Sequence, residues 1–443
     1  MSVSRTICQG FIIVITFGTI LLMLPISMSN GNWSHPVTAL FTATSAVCVT
    51  GLSVVNVGEY YSFWGQLFLL FLVQIGAFGY MTATTILLLL LGHKFRLKEK
   101  IALQQSLEQV GLAGVEGLIK SILVTTIVLE FTGIFLLMLV FVPVYGFQEG
   151  LWYSIFHSIN AFNNAGFSLY SDGFMQFVKS PLLNLVITGL IIFGGLGYQV
   201  IMEMFLWLKY LWQRKKACYT FSLHFKVVTN TTIFLLIVGL IAFLIAEFNN
   251  PNTLENLNLG EKLIAAWFQS VTTRTAGFNT IDIGNLTDAG FFFTIFLMFI
   301  GASPGSTGGG IKTTTFAILF NSTKAALQGK HEVLCYQRKI PIIVIIKAIG
   351  IVFASTILVV LATTLIAFTD QHLELTSIFF EVVSAFATVG LSLGVTSDFT
   401  IPGQLVLIAT MYIGRVGVLL LVSTVFKEQK PSAVEYPEGN LYV

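Results

Sequence analysis

Apolar stretches dominate this chain and fall into two lengths. Eight runs, at 7–28, 63–91, 118–142, 182–211, 225–248, 290–320, 342–368 and 404–426, are nearly free of charge. Each meets the roughly 20 residues a helix needs to cross a hydrocarbon core. The first lacks a small-residue cleavage site and reads as a retained span rather than a leader. Between each odd run and the next even one lies a shorter apolar segment, at 36–47, 150–163, 260–273 and 372–386. These are too short to cross and predict re-entrant half-helices. The fold class expected is therefore an all-α polytopic membrane protein.

Every half-helix runs into a related loop. Val49-Thr50-Gly51-Leu52 recurs as Asn164-Ala165-Gly166-Phe167, Thr275-Ala276-Gly277-Phe278 and Thr388-Val389-Gly390-Leu391, with the glycines 115, 111 and 113 residues apart. So regular a period predicts four repeats of span, half-helix, glycine loop and span around one axis. Their expected limits are 1–110, 111–220, 221–335 (with a broken second helix) and 336–443.

Composition agrees with that pattern: 55% of residues are hydrophobic and 10% charged, against about one-quarter charged in soluble domains. The net charge of +2 comes from short basic clusters and gives no face for nucleic acid. Those clusters follow the even runs, at Lys94, Arg96, Lys98 and Lys100, at Lys209, Arg214, Lys215 and Lys216, and at Lys324, Lys330, Arg338 and Lys339. The positive-inside rule then puts both termini in the cytoplasm and the four glycine loops on the outer half. The 94–100 and 209–216 clusters also read as surfaces for a cytosolic partner or for lipid headgroups. Cys8, Cys48, Cys218 and Cys335 have neither paired spacing nor histidine companions, and are expected to be free thiols. No Ser/His/Asp or His-Glu-x-x-His pattern supports an enzyme. His157, on the second half-helix, reads as buried packing.

Extended backbone at membrane depth is tolerated only where it lines protein or water. Four such loops on one axis would stack carbonyl oxygens able to replace the hydration shell of a monovalent cation. Glycine supplies the positive φ that turns successive carbonyls the same way. The half-helices would aim their negative C-terminal ends at the same axis.

A second motif follows each loop glycine by 24 to 28 residues: Gly76-Ala77-Phe78-Gly79, Gly194-Gly195-Leu196-Gly197, Gly301-Ala302-Ser303-Pro304 and Gly414-Arg415-Val416-Gly417. In the first two copies Gly-x-x-Gly suits close helix packing. The third continues as Pro304, Gly305, Ser306, Thr307, Gly308, Gly309 and Gly310, which no continuous helix holds. A phosphate-cradling role fits poorly, since Lys312 is followed by threonines inside an apolar run rather than standing in Gly-Lys-Ser/Thr order. Lys312 either pairs with an acid or caps loop carbonyls. Arg415 either faces the axis or makes a helix-packing ion pair. Arg274, at the end of the third half-helix, is a structural cation there. Glu130, Glu203 and Glu381 are intramembrane acids without evident partners.

These repeats and motifs resemble the Trk/Ktr/HKT superfamily of potassium transporters over essentially the whole chain, and most of all its bacterial Ktr membrane subunit. The resemblance implies a pore within one polypeptide. Its potassium filter would comprise Val49, Thr50, Gly51 and Leu52, Asn164 to Phe167, Thr275 to Phe278, and Thr388 to Leu391. The 304–310 segment, with Lys312 and Arg415, would form an intramembrane gate. Glycine in all four filters matches the potassium-selective members, because the plant relatives that favour sodium carry serine in the first. The resemblance further implies plasma-membrane localisation, a homodimer with contacts from the tail at 432–443, and a separate cytosolic ring of the KtrA/KtrC kind that binds ATP or ADP. K+ is the transported ion, with a role for Na+ left open. A sodium- or proton-coupled carrier is the alternative mechanism.

Overall fold

The computed structural model describes residues 3–79, 115–213, 219–330, 332–418 and 421. Regular structure there is helical, apart from a small antiparallel hairpin pairing Leu334–Cys335 with Arg338–Lys339. The odd runs form the continuous spans. Among the described residues, four helices are long and apolar enough to cross a membrane, one in each of Arg5–Met23, Ile122–Phe162, Leu223–Glu247 and Ile342–Thr369.

The half-helices lie close to their expected positions: Pro36–Val47, the arm 147–162, Leu259–Thr272 and Leu375–Ala387. Local chemistry sets their starts. Pro36 occupies the first turn, where a missing N–H costs nothing. Asn258 and Glu261 form a reciprocal capping box. The second arm continues from its span within Val115–Phe162, and the chain reverses at Gly146, whose φ of 79° and ψ of 174° interrupt the helix.

The even runs correct the expectation of eight full spans, of which only the third would be interrupted. Every one of them is interrupted. Phe63–Phe78 stops at Gly79, Pro181–Leu196 at Gly197 and Ile401–Val416 at Gly417, with φ of 72°, 89° and 92°. Asp288–Phe299 gives way to an irregular segment before Thr313–Leu327. At 1.5 Å per residue, helices of 12 to 16 residues reach only about 18–24 Å, short of the ~30 Å hydrocarbon layer. Beyond Gly197 the chain turns through 105° into Tyr198–Trp212. The rest of the second run, 80–91, and most of the last, 419–426, lie outside the described residues.

The two glycines of each motif do different work. A β-carbon on Gly76 would lie 2.2 Å from the Val47 carbonyl oxygen, one on Gly194 1.9 Å from that of Phe162, and one on Gly414 1.9 Å from that of Phe386. The first glycine therefore seats the even helix on the C-terminal end of its own half-helix. The second takes a conformation open to glycine alone and ends the helix.

Polarity is arranged as lipid demands. Phe131, Phe135, Ile245 and Phe353 point outward and are exposed, while Thr44, Ser45, Asn160, Ser270 and Ser384 are buried at the centre. The ends of the chain meet: the Tyr412 hydroxyl donates to the Cys8 carbonyl at 2.9 Å. Cys8, Cys48 and Cys335 are free thiols, and Cys218 lies outside the described residues.

The break at Gly197 generates a test. An alanine there meets both the strained backbone and the Pro304 carbonyl, 2.7 Å from the new carbon. Gly197→Ala is expected to cost roughly 1–3 kcal/mol and to lower the thermal midpoint of the purified protein. Gly189→Ala, inside the preceding helix with nothing within 4 Å, should leave the midpoint unchanged or raise it.

Candidate ion pathway

Each half-helix ends in a hydrogen-bonded C-cap that launches its loop. Thr50 N–H donates to Ser45 O at 2.8 Å, Ala165 N–H to Asn160 O at 2.8 Å, and Val389 N–H to Ser384 O at 2.9 Å. In these three the residue between takes the left-handed conformation, Val49 with φ 56°, Asn164 with φ 57° and Thr388 with φ 51°. That is the Schellman arrangement, which normally places glycine at the left-handed position. The third loop uses a bond spanning four residues rather than five, Ala276 N–H to Thr272 O at 3.1 Å, with Thr275 at φ 67°. Four buried non-glycine residues in this region cost about 1 kcal/mol or more apiece, and such strain concentrates at functional sites. The sequence reading did not find it: a β-branched residue at this position gives no warning.

Two residues later the backbone turns again at Gly51, Gly166, Gly277 and Gly390, with φ of 92°, 71°, 78° and 90°. Around these glycines the repeats interlock in cyclic order. A β-carbon on Gly51 would stand 2.4 Å from Ala165 O, one on Gly166 2.8 Å from Ala276 O, one on Gly277 2.5 Å from Val389 O, and one on Gly390 2.1 Å from Thr50 O. All four loops thus meet in one closed ring. The next residues, Leu52, Phe167, Phe278 and Leu391, are buried with their side chains in the hydrophobic core.

One face of the ring opens into a cavity of about 300 Å³, lined among others by Ser53, Ser168, Asn279, Ser392 and Thr396. The other face is covered by the irregular segment of the third repeat. Gly308 and Gly309 pack so closely beneath Thr275 and Thr388 that a β-carbon would lie 2.2 and 2.5 Å from the two hydroxyls. Gly309 N–H donates to Thr388 Oγ1 at 3.0 Å. Neighbouring repeats hold the segment as well: Ser303 and Thr307 N–H donate to Gly195 and Gly194 carbonyls, and Tyr198 N–H donates to Gly305 O.

The two cations singled out from sequence both bind this segment. Lys312 Nζ donates to Gly308 O at 3.1 Å, which is the capping alternative. Arg415 donates to the Thr307 carbonyl and also to the Gly76 and Ala77 carbonyls at the end of the first repeat's broken helix. These contacts bring Arg415 to the segment that covers the ring. Pro304 and Ser306 sit at the segment's turn, with the Ser306 hydroxyl donating to Ser303 O at 2.6 Å. Gly310 is left-handed, with φ 69°.

The three intramembrane acids and His157 have hydrogen-bond partners. Asn163 donates to Glu130 at 3.1 Å, and Ser222 donates to Glu203 through its N–H and hydroxyl at 3.0 and 2.6 Å. Ser392, Leu393 and Thr396 donate to Glu381. His157 is wholly buried, stacked on Tyr170 at 5.3 Å, with Nδ1 2.8 Å from Tyr153 O. Arg274 is buried off the ring, against Ile191, Gly195, Thr232 and Ala302. Among the described residues no His, Cys, Asp and Glu cluster could hold a metal ion. The oxygens this ring offers a cation are backbone carbonyls and hydroxyls.

Four units of span, half-helix and broken span, closed around one ring of carbonyls, define a multi-pass helical membrane protein of the cation-transport class. The chain belongs to the TrkH cation transport protein family, whose model matches residues 3–435. It is 41% identical to the Ktr system potassium uptake protein B of Bacillus subtilis over 99% of this chain and 96% of that one. It is 38% identical to the Ktr system potassium uptake protein B of Vibrio alginolyticus, over 99% and 94% of the two chains. The potassium/sodium uptake protein NtpJ of Enterococcus hirae is also 38% identical, over 100% and 97%. In structure it resembles the potassium transporter TrkH of Vibrio parahaemolyticus, with a TM-score of 0.71, 19% identity, and 95% and 85% coverage; that likeness concerns the fold. These relatives are named as transport proteins, and the family is one of transporters rather than enzymes.

Because each ring glycine faces a neighbour's carbonyl, Gly390→Ala should disrupt the ring. Uptake of 86Rb+ per folded molecule is expected to fall at least about tenfold, equivalent to about 1.4 kcal/mol in barrier. Gly394→Ala shares the positive φ, 86°, but has nothing within 4 Å of the added carbon. It should lose stability while keeping most of the uptake.

Proposed function

We propose that this protein takes up potassium across the plasma membrane through a channel-like pore. The ring of Thr50, Gly51, Ala165, Gly166, Ala276, Gly277, Val389 and Gly390, with Val49, Asn164, Thr275 and Thr388 beneath it and the backbone of Leu52, Phe167, Phe278 and Leu391 following it, acts as a backbone-carbonyl selectivity filter. The observation that carries this reading is the cyclic interlock, in which each repeat's carbonyl abuts the next repeat's glycine. Lipid could not satisfy backbone so placed, and Gly51, Gly166 and Gly390 line the cavity over the ring. Repeats 1–110, 111–220, 221–335 and 336–443 surround that axis. The positive-inside rule makes the 300 Å³ cavity the outer mouth and puts both termini in the cytoplasm.

The segment beneath the ring, 304–310 with Lys312 and Arg415, is the gate. Its contacts are mostly single hydrogen bonds to backbone, and several glycines let it refold at small cost. A separate cytosolic subunit binding ATP or ADP controls it, and the chain works as a homodimer; both follow from the Ktr resemblance. The name of the Enterococcus relative keeps Na+ in view as a second ion. A sodium- or proton-coupled carrier would draw on the intramembrane acids. Glu203 and Glu381 are instead held by serine, threonine and backbone donors, which favours the channel-like reading.

Uptake into proteoliposomes at clamped voltage tests the whole. K+ and Rb+ should enter without Na+ and in preference to it; a strict requirement for Na+ would instead indicate the coupled carrier. Gly51→Ser should weaken that preference, because its side chain would meet Ala165 O. Deleting 305–309 should raise flux per inserted protein, and Arg415→Ala should raise it less. Unchanged or lower flux in the deletion would remove the gating role and leave the filter untouched.

A further inference from the structure

The outer loops are fastened to the half-helices by two buried side chains on alternate repeats. Nine residues before the ring glycine stands Glu381 in the fourth repeat and His157 in the second; the first and third have Thr42 and Phe268 there. Each of the two accepts the backbone N–H three residues beyond its glycine. Leu393 N–H donates to Glu381 Oε1 at 3.0 Å, and Leu169 N–H lies 3.3 Å from His157 Nε2. Glu381 is the more elaborate fastening. The Ser392 hydroxyl donates to Oε1 at 2.6 Å and Thr396 Oγ1 to Oε2 at 3.0 Å, while Gly394 N–H donates to the Ser392 oxygen at 2.9 Å. The carboxylate is wholly buried. Ser392, Gly394 and Thr396 all line the outer cavity directly above the ring.

We propose that Glu381 is a positioning residue for ion selection: its carboxylate ties the 392–396 loop to the fourth half-helix and so fixes the outer mouth above Gly390. The role rests on reading the ring as a filter. It follows from the geometry, because Leu391, between the ring glycine and the tied loop, is one peptide from each. Without the strap the hydrogen bonds left at this filter, among the described residues, are Gly390 N–H to Ser384 Oγ at 3.1 Å, Gly309 N–H to Thr388 Oγ1 at 3.0 Å and the C-cap, all of them at or below the ring glycine. Carbonyl spacing is what separates one dehydrated cation from another. Loosening one quarter of the ring would blur that spacing without blocking the path.

The test compares Glu381→Gln with Glu381→Ala in proteoliposomes, reading K+ against Na+ competition for 86Rb+ uptake, and in detergent, reading amide hydrogen exchange across 391–397. Glutamine can accept from Ser392 and Leu393 with its oxygen and donate to Thr396 with its nitrogen, whereas alanine does neither. The expected result is near-wild-type discrimination and protection in the glutamine variant. In the alanine variant discrimination should fall about tenfold, with the amides exposed, as befits the loss of several hydrogen bonds to a charged group. Maximal uptake should change less than discrimination. Thr396→Val, which removes the bond to Glu381 Oε2 and the 2.8 Å contact with the Ser392 hydroxyl but leaves the two donors to Oε1, gives the same reading at smaller amplitude where the alanine variant does not accumulate. Wild-type discrimination in the alanine variant would overturn the proposal. So would an equal loss in both variants, which would assign the effect to charge. A wild-type protein that fails to distinguish K+ from Na+ while its 391–397 amides are protected would sink the filter reading, and this role with it.

Discussion

Four carbonyl oxygens, those of Thr50, Ala165, Ala276 and Val389, occupy space that a β-carbon on the adjoining repeat would need. That exclusion makes the four repeats a single object. Glycine is required at each junction for two separate reasons, a positive φ and a missing side chain, and satisfying one would not relieve the other. The left-handed residues two positions earlier are held against their own preference by the half-helix C-caps. The ring is therefore strained from below and unable to relax sideways. Such over-determined backbone is what a fixed set of oxygen spacings requires.

The broken even helices follow from the same need. A helix that crossed without interruption beneath each loop would carry its side chains toward the axis. The helices end at Gly79, Gly197 and Gly417, beyond Gly197 the chain turns through 105°, and in the third repeat the place beneath the ring is filled by backbone. That segment then borrows its hydrogen bonds from the second and fourth repeats. The fourfold pattern is thus broken once, and the departure lies on the axis.

Much of this was legible in the primary sequence because the informative signals repeat. The glycine period located the ring, and the lengths of the apolar runs separated half-helices from spans. The irregular third segment announced itself by Pro304 and its glycines. The breaks at Gly79, Gly197 and Gly417 were hidden by ambiguity: Gly-x-x-Gly suits close packing equally well, and Gly76, Gly194 and Gly414 do pack closely. Only the recurrence of the second glycine in three of the four repeats carried the signal. The partners of Arg415, Glu381 and Glu203 were out of reach for another reason. They are backbone groups and hydroxyls on other elements, and composition does not show which loop will face a buried charge.

Arg415 has one more consequence, for how the molecule comes into being. Its guanidinium, near the end of the chain, grips Thr307 in the third repeat and Gly76 in the first, while Gly390 locks onto Thr50 and Tyr412 onto Cys8. Apart from Arg415–Thr307, 108 positions apart, these contacts join residues more than 300 positions apart and so are the last to form during synthesis. Three repeats inserted into the bilayer make three sides of a ring and leave the third segment without its arginine. A nascent chain therefore has neither the closed ring nor the arginine contact that fastens the segment lying across it.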